Sequence, residues 1–173
     1  MLVLTTTKGI MLEFIYLSVL IGGGATALLD IWARLLKAVF GLPTPNWGLV
    51  GRWFAHLPRG RLVHGGGIAR SAPVPGELLI GWVMHYVVGM VFAAALLAIW
   101  GLGWARDPSF IAALIVGLVT VGAGWFILQP GMGAGMACSK AANPARARLL
   151  NIAGHVVFAI GLYGSALLIN WRG

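Results

Sequence analysis

The sequence has few charged residues: Asp, Glu, Lys and Arg occupy 9% of its 173 positions, whereas apolar side chains occupy 60%. Ordinary soluble domains carry about 25% charged residues. A chain this poor in charge cannot cover a soluble surface with polar side chains, which excludes an ordinary globular domain. Its mean hydropathy of +0.91 indicates a protein of the lipid bilayer.

Cysteine is nearly absent as well. Cys138 is the single cysteine, so no intramolecular disulfide can form, and no Cys or His spacing typical of a zinc site occurs. The sequence also lacks a nucleophile elbow, a phosphate-binding P-loop and an HExxH motif. The common chemistries of soluble enzymes therefore find no support, and enzymatic activity stays uncertain.

Four apolar stretches are long enough to cross a bilayer, which takes roughly 20 residues of helix. They cover residues 10–36, 78–100, 109–129 and 149–170. The first stretch follows Lys8 without a small-residue cleavage site, so we expect it to be retained. We predict an all-α membrane protein in which residues 1–173 form one transmembrane domain, a four-helix bundle with basic loops at 41–77 and 130–148.

Positive charge is concentrated on one side of this predicted bundle, and the net charge of the chain is +8. The first and third connections with their flanks hold nine basic residues: Arg34, Lys37, Arg52, Arg59, Arg61, Arg70, Lys140, Arg146 and Arg148. Only Lys8, Arg106 and Arg172 lie opposite. Because cytoplasmic loops carry the excess of Lys and Arg, both termini are predicted on the non-cytoplasmic side of an inner (cytoplasmic) membrane. Anionic lipid head groups at the cytoplasmic face, rather than nucleic acid, are the expected counter-charge.

Parts of the chain can be aligned with other parts, which suggests a 2+2 internal repeat. Residues 21–30 match residues 121–130 at an offset of one hundred, and residues 85–99 match residues 155–169 at an offset of seventy. A duplicated helix pair would give two parallel halves related by an axis along the membrane normal. Chance matching in segments rich in Gly, Ala, Leu and Val is the alternative.

Polar side chains inside the apolar stretches are candidate functional residues, since such groups are costly in lipid and usually face the bundle interior. They are Asp30, His85, His155 and Gln129. The repeat would place both histidines at similar depth, where they could form with Asp30 and Gln129 a polar cluster along a substrate path. The alternatives are an intrahelical Asp30–Arg34 ion pair and neutral histidines that hydrogen-bond between packed helices.

The same positions are candidate metal ligands. Imidazole and carboxylate groups of His85, His155 and Asp30 could bind a metal ion, and two histidines on facing helices could hold a haem. A weaker set of sulfur ligands suited to Cu(I) is Met132, Met136 and Cys138. Ordinary helix packing explains these methionines as well, so the cofactor stays unknown.

The first predicted loop contains a separate group of candidate contacts. Arg52, Arg59 and Arg61 could bind anionic lipid head groups or an anionic ligand, although a role in topology alone explains them too. Trp47 and Trp53 indicate a short interfacial helix in this loop, because indole rings favour the membrane–water boundary.

Five short motifs identify a family resemblance. They are LVGRW (49–53), HLPRGR (56–61), PVPGE (73–77), GWxxHYxxG (81–89) and LQPGMGAG (128–135). With these motifs in this order, the chain resembles a bacterial family of small integral membrane proteins catalogued as a domain of unknown function, over about residues 22–169. The resemblance implies a membrane location and a compact four-helix protein. It implies no known activity, cofactor or catalytic residue.

Two functional hypotheses follow. The first is a small transporter or permease-like protein, oligomeric because four helices enclose little space, in which Asp30, His85 and His155 line the path. The second is a non-transporting protein, either a metal- or haem-binding accessory or a structural subunit of a membrane complex. In that case the same residues fix helix packing.

The predicted orientation can be tested with reporter fusions. Alkaline phosphatase fused to the C-terminus is expected to be active, because that end is predicted outside the cytoplasm. Green fluorescent protein fused at the same place is expected not to fluoresce. The same reporters placed after Ala142, in the third connection, should give the opposite result. Equal reporter activity at both places, or the reversed pattern, would contradict the charge-based orientation.

Overall fold

The computed structural model describes residues 2–170, with side chains from Thr7 onward. This part of the chain is helical and contains no strand. The helices are α1 (Leu2–Phe40), α2 (Trp47–His56), α3 (Glu77–Trp100), α4 (Gly103–Arg106), α5 (Phe110–Ala123), α6 (Gln129–Gly131) and α7 (Pro144–Asn170). A π-helical turn, Gly124–Leu128, joins α5 to α6, so that the two continue as one helical rod.

Four helical segments are long and apolar enough to cross a membrane, which indicates a membrane protein. They are Thr7–Phe40, Glu77–Trp100, Phe110–Gly131 and Pro144–Asn170. The all-α class and the four candidate spans predicted from hydropathy are thereby confirmed. The 2+2 repeat and the orientation of the termini stay predictions, and the terminal residues Met1 and 171–173, with Arg172, lie outside the described part.

The observed helices are longer than the apolar stretches that predicted them. Helix α1 continues to Phe40, four residues past the predicted end, and α7 begins at Pro144 rather than at residue 149. The start of α7 has a local cause: the Asn143 Oδ1 accepts a hydrogen bond from the Arg146 N–H at 3.0 Å. Proline suits the first helical position because its missing N–H would have no partner there.

The bundle is arranged around α1. Helix α1 packs against both α3 and α7, α5 packs against α7 and more lightly against α3, and α2 lies on α3. Small side chains dominate the contacts, with Ala25, Ala93, Ala113, Ala159 and Ala166 all buried in the core. Lipid supplies no hydrophobic drive between helices, so close approach through small residues is what associates them.

Glycines set the closest of these approaches. A Cβ at Gly22 would run into the backbone of Gly89 and Met90, and one at Gly117 would run into the His155 carbonyl. Helix α2 lies equally close to α3, since a Cβ at Gly51 would meet the Glu77 carbonyl. The contacts of Gly22 and Gly51 bring α1, α2 and the first half of α3 together, and the contact of Gly117 joins α5 to α7.

The first and third connections meet at one end of the bundle. The His64 N–H donates to the Gly131 carbonyl at 3.0 Å, and the Ile68 N–H donates to the Met132 carbonyl at 3.0 Å. The Trp53 indole N–H also donates to the Leu62 carbonyl at 2.9 Å. Both basic segments therefore belong to one layer at the same end of the molecule.

The close approach of α2 to α3 gives a testable prediction. We expect Gly81→Ala to destabilise the protein by about 1–3 kcal/mol, because the added methyl would overlap the Trp47 carbonyl and force α2 away. The matched control is Gly164→Ala in α7, where an added Cβ has no atom within 4 Å. Denaturation of the purified protein in mixed micelles measures both free energies of unfolding. Equal stability of the two variants would contradict the described docking.

Candidate functional site

A half-buried polar triad joins α1 to α3. The His85 Nε2 lies 3.1 Å from the Asp30 Oδ1, and the Tyr86 hydroxyl donates to the Asp30 Oδ2 at 3.0 Å. The side chains of His85 and Asp30 are only 12% and 13% exposed. Both carboxylate oxygens thus have a partner, as a carboxylate among apolar helices requires.

The spacing of residues along the two helices explains this contact. Gly22, Thr26 and Asp30 share one face of α1 at four-residue intervals. Gly22 brings α1 against Gly89 of α3, and His85 lies one turn before Gly89. The Thr26 hydroxyl bonds the Gly22 carbonyl at 2.8 Å, so it needs no partner from α3. Asp30 therefore lies opposite His85. Its partner is on another helix and is not Arg34, the intrahelical partner named above as an alternative.

Two tryptophans cover the imidazole. The Trp47 ring stacks on His85 with centroids 3.9 Å apart and an interplanar angle of 28°, and Trp47 lies 5.5 Å from Trp82. Trp47 reaches this position because it begins α2, which Gly51 and Gly81 seat on α3. The indoles separate His85 from the bundle surface and leave the carboxylate side open.

A cavity of about 220 Å³ adjoins the triad. Its lining contains an acid, two bases and two indoles: Asp30, Ala33, Arg34, Lys37, Thr44, Pro45, Trp47 and Trp82. Ligand pockets usually measure about 300–1,000 Å³, so this one suits a small solute. Groups of both charge signs and aromatic faces can bind ammonium and anionic groups together.

A second cavity, of about 230 Å³, lies on the α7 side of α1. Its lining is mostly apolar: Leu29, Trp32, Ala33, Leu36, Leu42, Pro43, Pro45, Leu150, Asn151, Gly154 and His155. The Trp32 indole N–H is buried and has no hydrogen-bond partner in the described part of the chain. Ala33 and Pro45 line both cavities, so the two cavities adjoin at these residues.

The structure gives His155 partners of its own. The His155 Nδ1 lies 3.0 Å from the Gly117 carbonyl and 3.1 Å from the Thr120 hydroxyl, both on α5. Because the carbonyl can only accept, Nδ1 carries the proton and the ring links α7 to α5. This arrangement agrees with the packing alternative for His155, while His85 is the histidine that reaches Asp30.

Gln129 belongs to a further network, centred on Asn151. The Asn151 Oδ1 accepts from the Gln129 amide at 2.8 Å, the Trp125 indole at 3.0 Å and the Cys138 thiol at 3.3 Å. The Cys138 N–H in turn donates to the Gln129 Oε1 at 2.6 Å. The π-helical turn inserts one residue before Gln129 and so changes the directions of side chains there. This network ties the third connection to α7.

The predicted metal candidates are dispersed. Among the described residues, no group of three or more His, Cys, Asp and Glu side chains could hold a metal ion. Cys138 is buried, whereas the Met136 side chain is 64% exposed. The candidate metal ligands predicted from the sequence thus lie in separate places. His85 lies with Asp30, His155 lies apart from them, and the sulfur ligands Met132, Met136 and Cys138 are separate from both.

The arginines of the first loop have two different environments. Arg52 makes a bidentate ion pair with Glu77, both N···O distances being 2.8 Å, and this hydrogen bonding raises the pKa of Arg52. Arg52 therefore fixes α2 to the start of α3. Arg59 and Arg61 are exposed and stay candidate contacts for anionic lipid.

Sequence inspection missed several partners in these sites. Tyr86, Trp47 and Asn151 were not among the candidates, although each bonds or stacks on one of them. For Tyr86 a signal existed, since it directly follows His85 in the GWxxHYxxG motif. Asn151 lies one helical turn before His155 in α7, and no sequence pattern distinguished it.

Comparison with models of protein families identifies the family of the chain. It matches the model of a protein family of unknown function, DUF2938, over residues 19–169. The chain belongs to this family. No curated protein and no solved structure matches it. Membership of DUF2938 confirms the resemblance expected from the motifs and supplies no activity.

A double-mutant cycle tests whether Asp30 acts with His85 and independently of His155. Asp30→Ala and His85→Ala should couple by about 0.5–3 kcal/mol in the free energy of unfolding, because each removes the other's partner. Asp30→Ala and His155→Ala share no hydrogen-bond partner and should add within about 0.5 kcal/mol. Denaturation of the protein in mixed micelles measures these energies. Strong coupling of Asp30 to His155 would contradict the described separation.

Proposed function

We propose that this DUF2938 protein is a small permease-like protein of the inner membrane that binds a small zwitterionic solute beside Asp30 and carries it across. The single observation that carries the proposal is the half-buried Asp30–His85–Tyr86 triad, whose Asp30 lines a cavity of about 220 Å³. Intramembrane ionisable groups are typical of solute and proton pathways.

The charges around the cavity support a zwitterion. An ammonium group would bind near the Asp30 carboxylate and the Trp47 and Trp82 rings, which attract cations through their π faces. An anionic group would bind the Arg34 guanidinium and the Lys37 ammonium one and two turns further along α1. A purely anionic solute would leave Asp30 repelled, and a purely cationic one would face both bases.

Competition for Asp30 links solute binding to protons. A solute ammonium and a protonated His85 would both pair with the same carboxylate, so binding of one weakens binding of the other. Solute binding is therefore expected to weaken the contact between His85 and Asp30.

The second candidate is a structural or accessory subunit, in which the same triad holds two helices together. The observation that favours it is the set of interhelical bonds made by His155 and Asn151, which connect α7 to α5 and to the third connection. In that case the Asp30–His85 pair would hold α1 to α3 and the cavity would face lipid or a partner subunit.

Labelling of an engineered cysteine separates the two candidates without knowledge of the solute. Ala33→Cys, in a Cys138→Ser background, lies between the two cavities. A permease must expose this position alternately to both sides. A membrane-impermeant thiol reagent should therefore label it in vesicles of either orientation, and glycine, as a zwitterionic probe, should slow the labelling.

Two exposed positions serve as matched controls. Ala142→Cys in the third connection and Asp107→Cys in the turn before α5 should each be labelled from one side only, and from opposite sides. Labelling of Ala33→Cys from a single side, whichever pH gradient is imposed, would contradict transport and support the accessory role.

A further inference from the structure

A pair of buried histidines lies outside the membrane-spanning helices. His56 ends α2 and His64 lies in the loop that follows, with 3% and 8% of their surfaces exposed. Their ring centroids are 5.3 Å apart and their planes make an angle of 60°. The proposed permease site uses neither side chain.

One nitrogen of each ring is already bonded to the protein. The His56 Nε2 lies 3.2 Å from the Ala72 carbonyl, which can only accept, so Nε2 carries the proton and Nδ1 has a free lone pair. The His64 Nδ1 lies 2.6 Å from the Ser71 hydroxyl. With Nδ1 as donor to Ser71, the His64 Nε2 also has a free lone pair. Metal-binding histidines are typically fixed in this way by a second bond to a backbone or side-chain acceptor.

The two remaining nitrogens are buried and have no partner. Neither the His56 Nδ1 nor the His64 Nε2 makes a hydrogen bond to any described group. A buried polar atom without a partner is costly and needs an explanation, such as an unseen ion or water. Because both atoms belong to neighbouring rings, one bound species can satisfy the two together.

The ring separation fits a single ion. An ion about 2.0 Å from each nitrogen, with roughly 115° between the two bonds, would be held by rings whose centroids are 5.3 Å apart. That angle is typical of a low-coordinate ion with one further position for a small ligand from solution. We propose that His56 and His64 form a binding site for Cu(I).

The number of available ligands favours Cu(I) over Zn²⁺. The Arg52 guanidinium donates to the Ser71 carbonyl at 3.0 Å, and Glu77 is engaged by Arg52, so neither side chain adds a ligand. No third His, Cys, Asp or Glu joins the pair within the described chain. Zinc sites normally use three or four protein ligands, whereas imidazole also suits copper.

Bound Cu(I) would strengthen the layer at this end of the bundle. The His64 N–H is bonded to the Gly131 carbonyl at 3.0 Å, so an ion between the rings connects the end of α2 to the third connection through His64. We therefore expect the ion to raise the thermal stability of the protein as well as to bind.

Competition with a coloured Cu(I) chelator tests the site in the purified full-length protein under reducing conditions. One equivalent of Cu(I) per chain is expected, and His56→Gln or His64→Gln should each weaken its binding by at least about tenfold. Cys138→Ser and Met136→Leu, which remove the alternative sulfur ligands, should bind as the unaltered protein does. X-ray absorption should show nitrogen neighbours and no sulfur.

Several results would overturn the proposal. These are absence of Cu(I) binding, which would mean that an ordered water alone fills the site, loss of binding in Cys138→Ser, and tighter binding of Zn²⁺ than of Cu(I). If the histidine variants fail to fold, ¹⁵N-histidine resonances of the unaltered protein with Ag(I) decide. Large shifts at two imidazoles are expected, and unchanged imidazoles would overturn the site.

Discussion

The Asp30 carboxylate is the constraint around which the described bundle is built. A charge at this depth among apolar helices needs hydrogen-bond partners from a neighbouring helix, and α3 supplies two of them, His85 and Tyr86. Such contact requires α1 and α3 to approach closely, which Gly22 and Gly89 permit. The same proximity lets α2 lie on α3, with Trp47 over the His85 ring. The polar site and the helix packing are thus one arrangement.

The two intramembrane histidines show how similar segments acquire different roles. His85 on α3 bonds to α1, and His155 on α7 bonds to α5. Each ring therefore contacts the membrane-spanning helix that comes before its own in the sequence. The partners differ: a carboxylate for His85, and a carbonyl with a hydroxyl for His155. The first contact joins two ionisable groups on different helices, whereas the second joins the His155 ring to partners that carry no charge.

Sequence patterns predicted the parts of the fold that depend on local composition. Apolar length alone located the four spans, since a bilayer requires about 20 residues of helix regardless of their neighbours. Helices α1 and α7 extend beyond the apolar stretches that predicted them, because amphipathic turns beyond the lipid do not raise hydropathy. The π-helical turn at Gly124–Leu128 was not predicted, since apolar length and hydropathy do not indicate where a helix accommodates an extra residue.

Sequence reasoning predicted which residues belong to the candidate site, but not which of them contact each other. The cost of charge in lipid singled out Asp30 and His85, which the structure brings together across 55 residues of sequence. The same argument grouped His155 with them, because it could not show which way each helix turns its faces. His56 and His64 were not predicted as a pair. Their burial depends on how that loop folds against the third connection.

Solid-state NMR of the protein in lipid bilayers would test the central contact most directly. The chain contains two aspartates, Asp30 and Asp107, and four histidines, so selective ¹³C-Asp and ¹⁵N-His labelling gives few signals. The described structure predicts one strong dipolar coupling between an Asp carboxyl carbon and a His Nε2, lost in Asp30→Asn and in His85→Gln. Absence of this coupling, or its persistence in His85→Gln, would contradict the account.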